Sequence, residues 1–104
     1  MQLKRWFSEV MREKVVVELQ TYTGEGTEEP VTRLGVPYDM GENKKKAGEM
    51  YVRMLVTHEE VVGDDGKKVT VPLDSPKFRT VPLFKVVDDS PKRRRDLEYT
   101  EVKV

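Results

Sequence analysis

Met50, Val52, Met54 and Val56 alternate with Tyr51, Arg53, Leu55 and Thr57, and this period of two is the strongest constraint on the fold. Successive side chains of a strand point to opposite faces, whereas a helix returns to one face only every third or fourth residue. Four apolar side chains at this spacing therefore predict a strand at the centre of a sheet, with one face against a core. A similar alternation places Val15, Val17, Leu19 and Thr21 on one face and Val16, Glu18, Gln20 and Tyr22 on the other, a half-buried strand. A third signal is the run Val61-Val62, then Gly63-Asp64-Asp65-Gly66, then Lys67-Lys68-Val69-Thr70-Val71. Two apolar arms around a glycine-bounded acidic turn predict a hairpin.

Punctuation divides the remainder. Thr23-Gly24-Glu25-Gly26 ends the first strand in a turn, because glycine adopts positive φ at little steric cost. Val31–Val36, bounded by Pro30 and Pro37, predicts a short strand, and residues 38–48 (YDMGENKKKAG) predict an exposed loop with almost no apolar anchor. Pro72, Pro76 and Pro82 restrict Leu73–Thr80 to irregular or edge structure. Val81–Val87 (VPLFKVV) predicts a short buried strand, Asp88-Asp89-Ser90-Pro91 a turn, and Leu97–Val104 (LEYTEVKV) a final alternating strand.

Only the N-terminus reads as helix. Leu3, Trp6, Phe7, Val10 and Met11 fall on one stripe at helical spacing. A segment this short needs a surface to pack on, either its own sheet or a neighbouring subunit, so Leu3, Trp6, Phe7 and Val10 are a candidate partner-docking face. One domain over residues 1–104 is expected. It comprises a helix over 1–13 and, over 14–104, a small mainly β, SH3-like barrel or sandwich with long charged loops at 38–48 and 88–96.

Composition narrows function. Hydrophobic and charged residues each make up 37% of the chain, a polar balance that predicts extended charged loops, some ordering only on assembly. Nineteen basic and nineteen acidic side chains cancel, so attraction to nucleic acid or an anionic membrane would have to be local. Cysteine is absent, which excludes disulfides and thiolate zinc sites. The N-terminus is broken by charge every few residues and lacks the apolar stretch of a signal peptide or membrane span; a soluble protein made in the cytoplasm, with no membrane partner, is expected.

Catalytic chemistry has no visible carrier. His58 is the single histidine, and its neighbours Glu59 and Glu60 project to alternate faces of a strand, so it reads as a surface side chain rather than a metal or acid–base group. Asp64-Asp65 and Asp88-Asp89 lack the ligand spacing of a calcium loop. Neither a nucleophile elbow nor a phosphate-binding glycine loop is present. No enzyme activity and no cofactor are expected. Two basic runs, Lys44-Lys45-Lys46 and Lys92-Arg93-Arg94-Arg95, are candidate contacts for DNA or for a neighbouring subunit, since clustered cations release counterions from a phosphate backbone.

Val15-Val16-Val17-Glu18 running into Thr21-Tyr22-Thr23-Gly24-Glu25-Gly26 resembles the start of the head-closure or stopper proteins of long-tailed phages. VRMLVTHEEVVGDDGKKVTVPL (52–73) looks like their central hairpin, and LFKVVDDSPKRRRDLEYTEVKV (83–104) like their closing strands. The resemblance implies an SH3-like barrel that assembles with itself in a ring under the portal and adaptor, retains packaged DNA and receives the tail through a tail-terminator protein. On that reading the protein is a structural component of the virion at the head–tail junction, made in the host cytoplasm. MREKVVVELQTYTGEG (11–26) is also similar to the first strands of Sm-like RNA-binding rings, with Tyr38–Asn43 echoing one of their loops. A capsid decoration protein is a third expectation.

Overall fold

A computed structural model of the chain describes residues 1–22 and 29–103. Helix α1 (Leu3–Glu13) leads into strands β1 (Val17–Thr21), β2 (Val31–Glu42), β3 (Met50–Val62) and β4 (Lys68–Pro82), a 3-10 turn (Leu83–Lys85) and a short β5 (Lys92–Arg93). The five strands form one antiparallel sheet in the order β4-β3-β2-β1-β5. The protein is thus mainly β with one short helix, as its alternation predicts, but the barrel stays open because, among the described residues, β4 and β5 each leave an edge unpaired.

The alternating side chains divide into two apolar layers. Val17 and Leu19 of β1, Val52, Met54 and Val56 of β3 and Val81 of β4 join Phe7 and Val10 of α1 in the main core. Phe7 and Val10 have no solvent exposure, so the greasy stripe of the helix packs on its own sheet. The helix stops at Lys14, whose backbone is left-handed (φ 58°) and whose N–H is donated to the Val10 carbonyl. On the other face Val16, Leu34 and Val36 form a smaller cluster, covered by Leu97, Tyr99 and Val102.

The sheet must curl strongly. Pro82 pairs with Tyr51 on β3, and four residues later Val86 bridges Thr21 on the outer side of β1. In a flat sheet those positions lie about four strand spacings apart, roughly 19 Å, whereas four extended residues reach at most about 14 Å. Gly35 of β2 permits the curl. It sits between Val17 and Val56 on the concave face, and a Cβ there would lie 2.3 Å from the Leu55 carbonyl oxygen and 2.9 Å from the Val56 Cα. The register slips beside it, so that Thr57 of β3 is passed over. Opposite Thr57 on the other side, β4 loops out between Pro72 and Lys77. A bulge on both flanks of one residue sharpens the bend.

Several boundaries differ from the sequence expectation. β2 does not stop at Pro37 but runs through Glu42; beyond Gly35 its β1 side is unpaired, so a residue without an N–H costs no ladder bond there. The expected loop 38–48 shrinks to a turn closed by the Asn43 and Glu49 main chains, with the Asn43 N–H donated to the Glu49 carbonyl at 2.8 Å. Leu73–Thr80, by contrast, takes the edge form, one of the two expected of it, its prolines tolerated because β4 has a neighbour on one side only. Val81–Val87 is not one strand, since the chain turns at Leu83–Lys85 to cross to β1. The loop 88–96 contains β5. Leu97–Lys103 forms no strand; it lies over the second cluster without a backbone ladder. The turn expected at Thr23–Gly26 lies outside the described residues.

Gly35→Ala is expected to destabilise the fold by about 1–3 kcal/mol, because the obstructing atoms are backbone. Gly41→Ala should cost less, since the obstacle is the movable Tyr51 ring. Urea unfolding midpoints of the two variants check the ranking.

Candidate functional site

The basic run is the densest charge in the sequence, and the fold surrounds it with carboxylates. β5 pairs with β1 at Val17 and Glu18, which brings residues 92–95 beside the end of α1. Arg93 donates Nε and Nη2 to the two oxygens of Glu13 at 3.0 and 2.7 Å and lies over the Trp6 ring, 5.6 Å from its centre. Arg95 donates to the same Glu13 at 2.8 Å. Arg94 reaches Glu18 at 2.7 Å and grips Asp96 through Nε and Nη2. Lys92 lies 3.5 Å from Glu18.

These contacts shift the acids. Hydrogen bonding from Arg93 lowers the Glu13 carboxyl to about 2, with Arg95 contributing; the Arg94 fork holds Asp96 at about 2. The Arg93 and Arg94 guanidiniums are raised by the same bonds, Arg93 first by Glu13 and Arg94 first by Asp96. The run therefore acts as a clasp joining β5, β1 and α1. Its charge is engaged within the chain, which leaves little free for a phosphate backbone.

The lysine turn differs. Lys44, Lys45 and Lys46 are exposed at the end of the β2–β3 hairpin. The turn is held by main-chain and Asn43 contacts, including the Lys45 N–H donated to Asn43 Oδ1 at 3.0 Å, and by the Gly48 N–H donated to Glu42 Oε1 at 2.6 Å. Among the described residues no carboxylate pairs with these three ammonium groups. Of the candidate docking face on α1, Phe7 and Val10 are consumed by the core, whereas Leu3 and Trp6 are only partly buried against it. That burial withdraws half of the proposed face from any partner.

Two further features escaped the sequence reading. Around β2 and β3, Arg53 donates to Asp39 at 2.8 Å and to the Tyr51 hydroxyl at 2.9 Å while stacking on that ring, and the ring lies across Gly41. Near the end of β1, a cavity of about 140 Å³ is lined by Thr21, Tyr22, Arg33, Thr80 and Lys85 among others. Thr21 Oγ1 is buried without a hydrogen-bond partner among the described residues. Among those residues no group of three metal-ligating side chains comes together.

β4 is the long strand at one end of the sheet, and its outer edge pairs with no other strand among the described residues. Val69 and Phe78 are about half exposed on it, and Tyr38 meets Phe78 edge to face at 5.5 Å. Phe78 lies in the segment that the flanking prolines mark as irregular or edge structure, which does not single out its ring. The acids of the clasp carried a legible signal, since Glu9 and Glu13 stand at i, i+4 on one helix face. Their partner lay some eighty positions away, beyond the reach of any local pattern.

No family model matches the chain, and neither a curated protein nor a solved structure matches it.

The clasp predicts a pH dependence. A carboxylate whose folded pKa lies below its unfolded value stabilises the fold above the unfolded value, and the contribution is lost as pH falls toward the folded one. For Glu13 the window runs from about 4.5 down to about 2. The urea midpoint should fall across that window, tracked by the emission of Trp6, and Glu13→Gln should show a shallower fall. Equal slopes in the two proteins would remove the clasp from the acid response.

Proposed function

We propose that the protein is a non-enzymatic structural component that assembles head to tail with copies of itself into a ring, acting as a connector at the head–tail junction of a tailed phage. The observation that carries the ring is the open sheet. β4 and β5 expose unlike edges at its two ends, so one copy's edge is complementary to a different surface on the next. Such heterologous contacts generate closed rings when the rotation between copies permits. A self-matching edge would give a two-fold dimer instead.

The connector identity is supported by the resemblance of residues 15–26, 52–73 and 83–104 to the stopper proteins. It is also supported by a small, rigid core that carries charged turns at its periphery. On this reading the partners are portal or adaptor and tail-terminator proteins, and the three unpaired lysines of the β2–β3 turn are the side chains available to packaged DNA. Native mass spectrometry and electron microscopy of the protein, alone and with portal-containing particles, test the reading. A discrete ring that joins such particles is expected; a chain that stays monomeric and never joins them sinks it.

The unpaired Lys44-Lys45-Lys46 turn also favours a second reading, a ring that binds RNA in the manner of Sm-like proteins. There, affinity for single-stranded RNA would fall with salt, and replacing the three lysines with glutamate would reduce the slope of log K against log salt by about 2. RNA affinity that is absent, or insensitive to both salt and these substitutions, removes that reading.

A further inference from the structure

The segment Leu97–Lys103 has the alternation of a strand and the surroundings of none. Leu97, Tyr99 and Val102 seat it on Val16, Leu34 and Val36. Among the described residues, the main chain of 98–103 makes no hydrogen bond. Peptide groups left without partners on an extended segment are a template for strand addition. The segment leaves the sheet directly after β5, where the Arg94 N–H is donated to the Val16 carbonyl, so it begins at the edge opposite β4.

β4 offers a restricted counterpart. Pro72, Pro76 and Pro82 remove donors from this edge, and residues 73–76 bulge away from β3. Between Pro76 and Pro82 lies the uninterrupted window Lys77-Phe78-Arg79-Thr80-Val81, paired on its inner side with β3. Lys77 and Arg79 are exposed, project to one face and have no carboxylate partner among the described residues. Phe78, half exposed, projects to the other. The tail matches this pattern: Glu98, exposed and without an ion-pair partner among the described residues, alternates with the apolar Leu97 and Tyr99.

We propose that Leu97–Lys103 of one copy adds as a strand to the Lys77–Val81 edge of the next, with Glu98 beside Lys77 and Arg79 and with Leu97 and Tyr99 on the side of Phe78. The occupant of the β4 edge is thus a second copy of this chain. The contact rests on the ring reading and supplies its interface. As a strand the tail keeps Leu97 and Tyr99, which share one face, on its own sheet, while Val102 falls on the opposite face and the peptide groups serve the neighbour. β5, only two residues long, is too short to carry such a ladder.

Exposed positions allow a test without disturbing the core. Glu98→Lys should weaken self-association on the order of tenfold in sedimentation equilibrium, and adding Lys77→Glu and Arg79→Glu to the same chain should restore it. Because the chain has no cysteine, a Lys77→Cys chain mixed with a Glu98→Cys chain should give a disulfide-linked heterodimer on mild oxidation. If the wild type assembles, yet these variants assemble identically and no such heterodimer forms, the pairing is overturned and the ring reading stands. A wild type that remains monomeric throughout overturns both.

Discussion

The close approach of β2 and β3 at Gly35 is the constraint on which the rest of the molecule depends. With no side chain between Val17 and Val56, the concave face can fold inward until β4 and β1 are within reach of a single 3-10 turn. Everything after Pro82 follows from that reach. Val86 bridges Thr21, Val87 donates its N–H to the Gln20 carbonyl, and Ser90 Oγ accepts the Gln20 N–H at 3.0 Å. Ser90 thereby takes the place of a ladder partner on β1 and carries the chain into β5. A flatter sheet would strand residues 83–103 in solvent, and the second apolar cluster would lose its cover.

Placement of charge, more than its amount, distinguishes this chain. Equal numbers of acids and bases would suggest a surface of mixed, mutually screened groups. Instead the bases near β5 are gathered against Glu13, Glu18 and Asp96, and Arg53 is held by Asp39. The side chains in these clusters are about one-fifth to two-thirds exposed, so solvent screens each pair and none alone adds much stability. Their joint effect is positional, because three guanidiniums forked between a helix, a strand and a following turn set the angle at which α1 lies on the sheet. Among the described residues, the cations without carboxylate partners include Lys44, Lys45 and Lys46 of the β2–β3 turn and Lys77 and Arg79 of β4.

What was legible in the sequence was the period of each element. Alternation placed Val52, Met54 and Val56 in the core, and the helical stripe placed Phe7 and Val10 against it. The Gly63–Gly66 turn also falls where its glycines predict, with Gly66 at φ +79°. The boundary expected at Pro37 fails, because proline's cost depends on whether its N–H would have faced a neighbour, and that is a property of the sheet order: Pro37 lies beyond the end of the β1 pairing. Pro72, Pro76 and Pro82 lie on an edge, one of the two forms expected for their segment. The fate of Lys92–Arg95 was hidden for a related reason: four bases in sequence look like a free patch until the fold brings Glu13 and Glu18 to them. Conversely, Leu97–Lys103 has the local character of a strand, and what it lacks among the described residues is a pairing strand.

An edge strand as long as β4 invites uncontrolled pairing, and its sequence is built to limit that risk. Prolines remove donors at three points, a bulge turns residues 73–76 away, and Lys68 is tied by its Nζ to Glu29 at 2.6 Å. Charge and irregularity of this kind are how soluble proteins blunt exposed edges. One short window between Pro76 and Pro82 escapes these devices, and it carries two cations and an exposed aromatic ring. An edge protected everywhere except at one charged, five-residue site cannot propagate an indefinite sheet, because no second window in register continues the ladder. It can accept a single short strand of opposite charge, and in the proposed ring the polarity of that strand would set the direction in which one copy follows another.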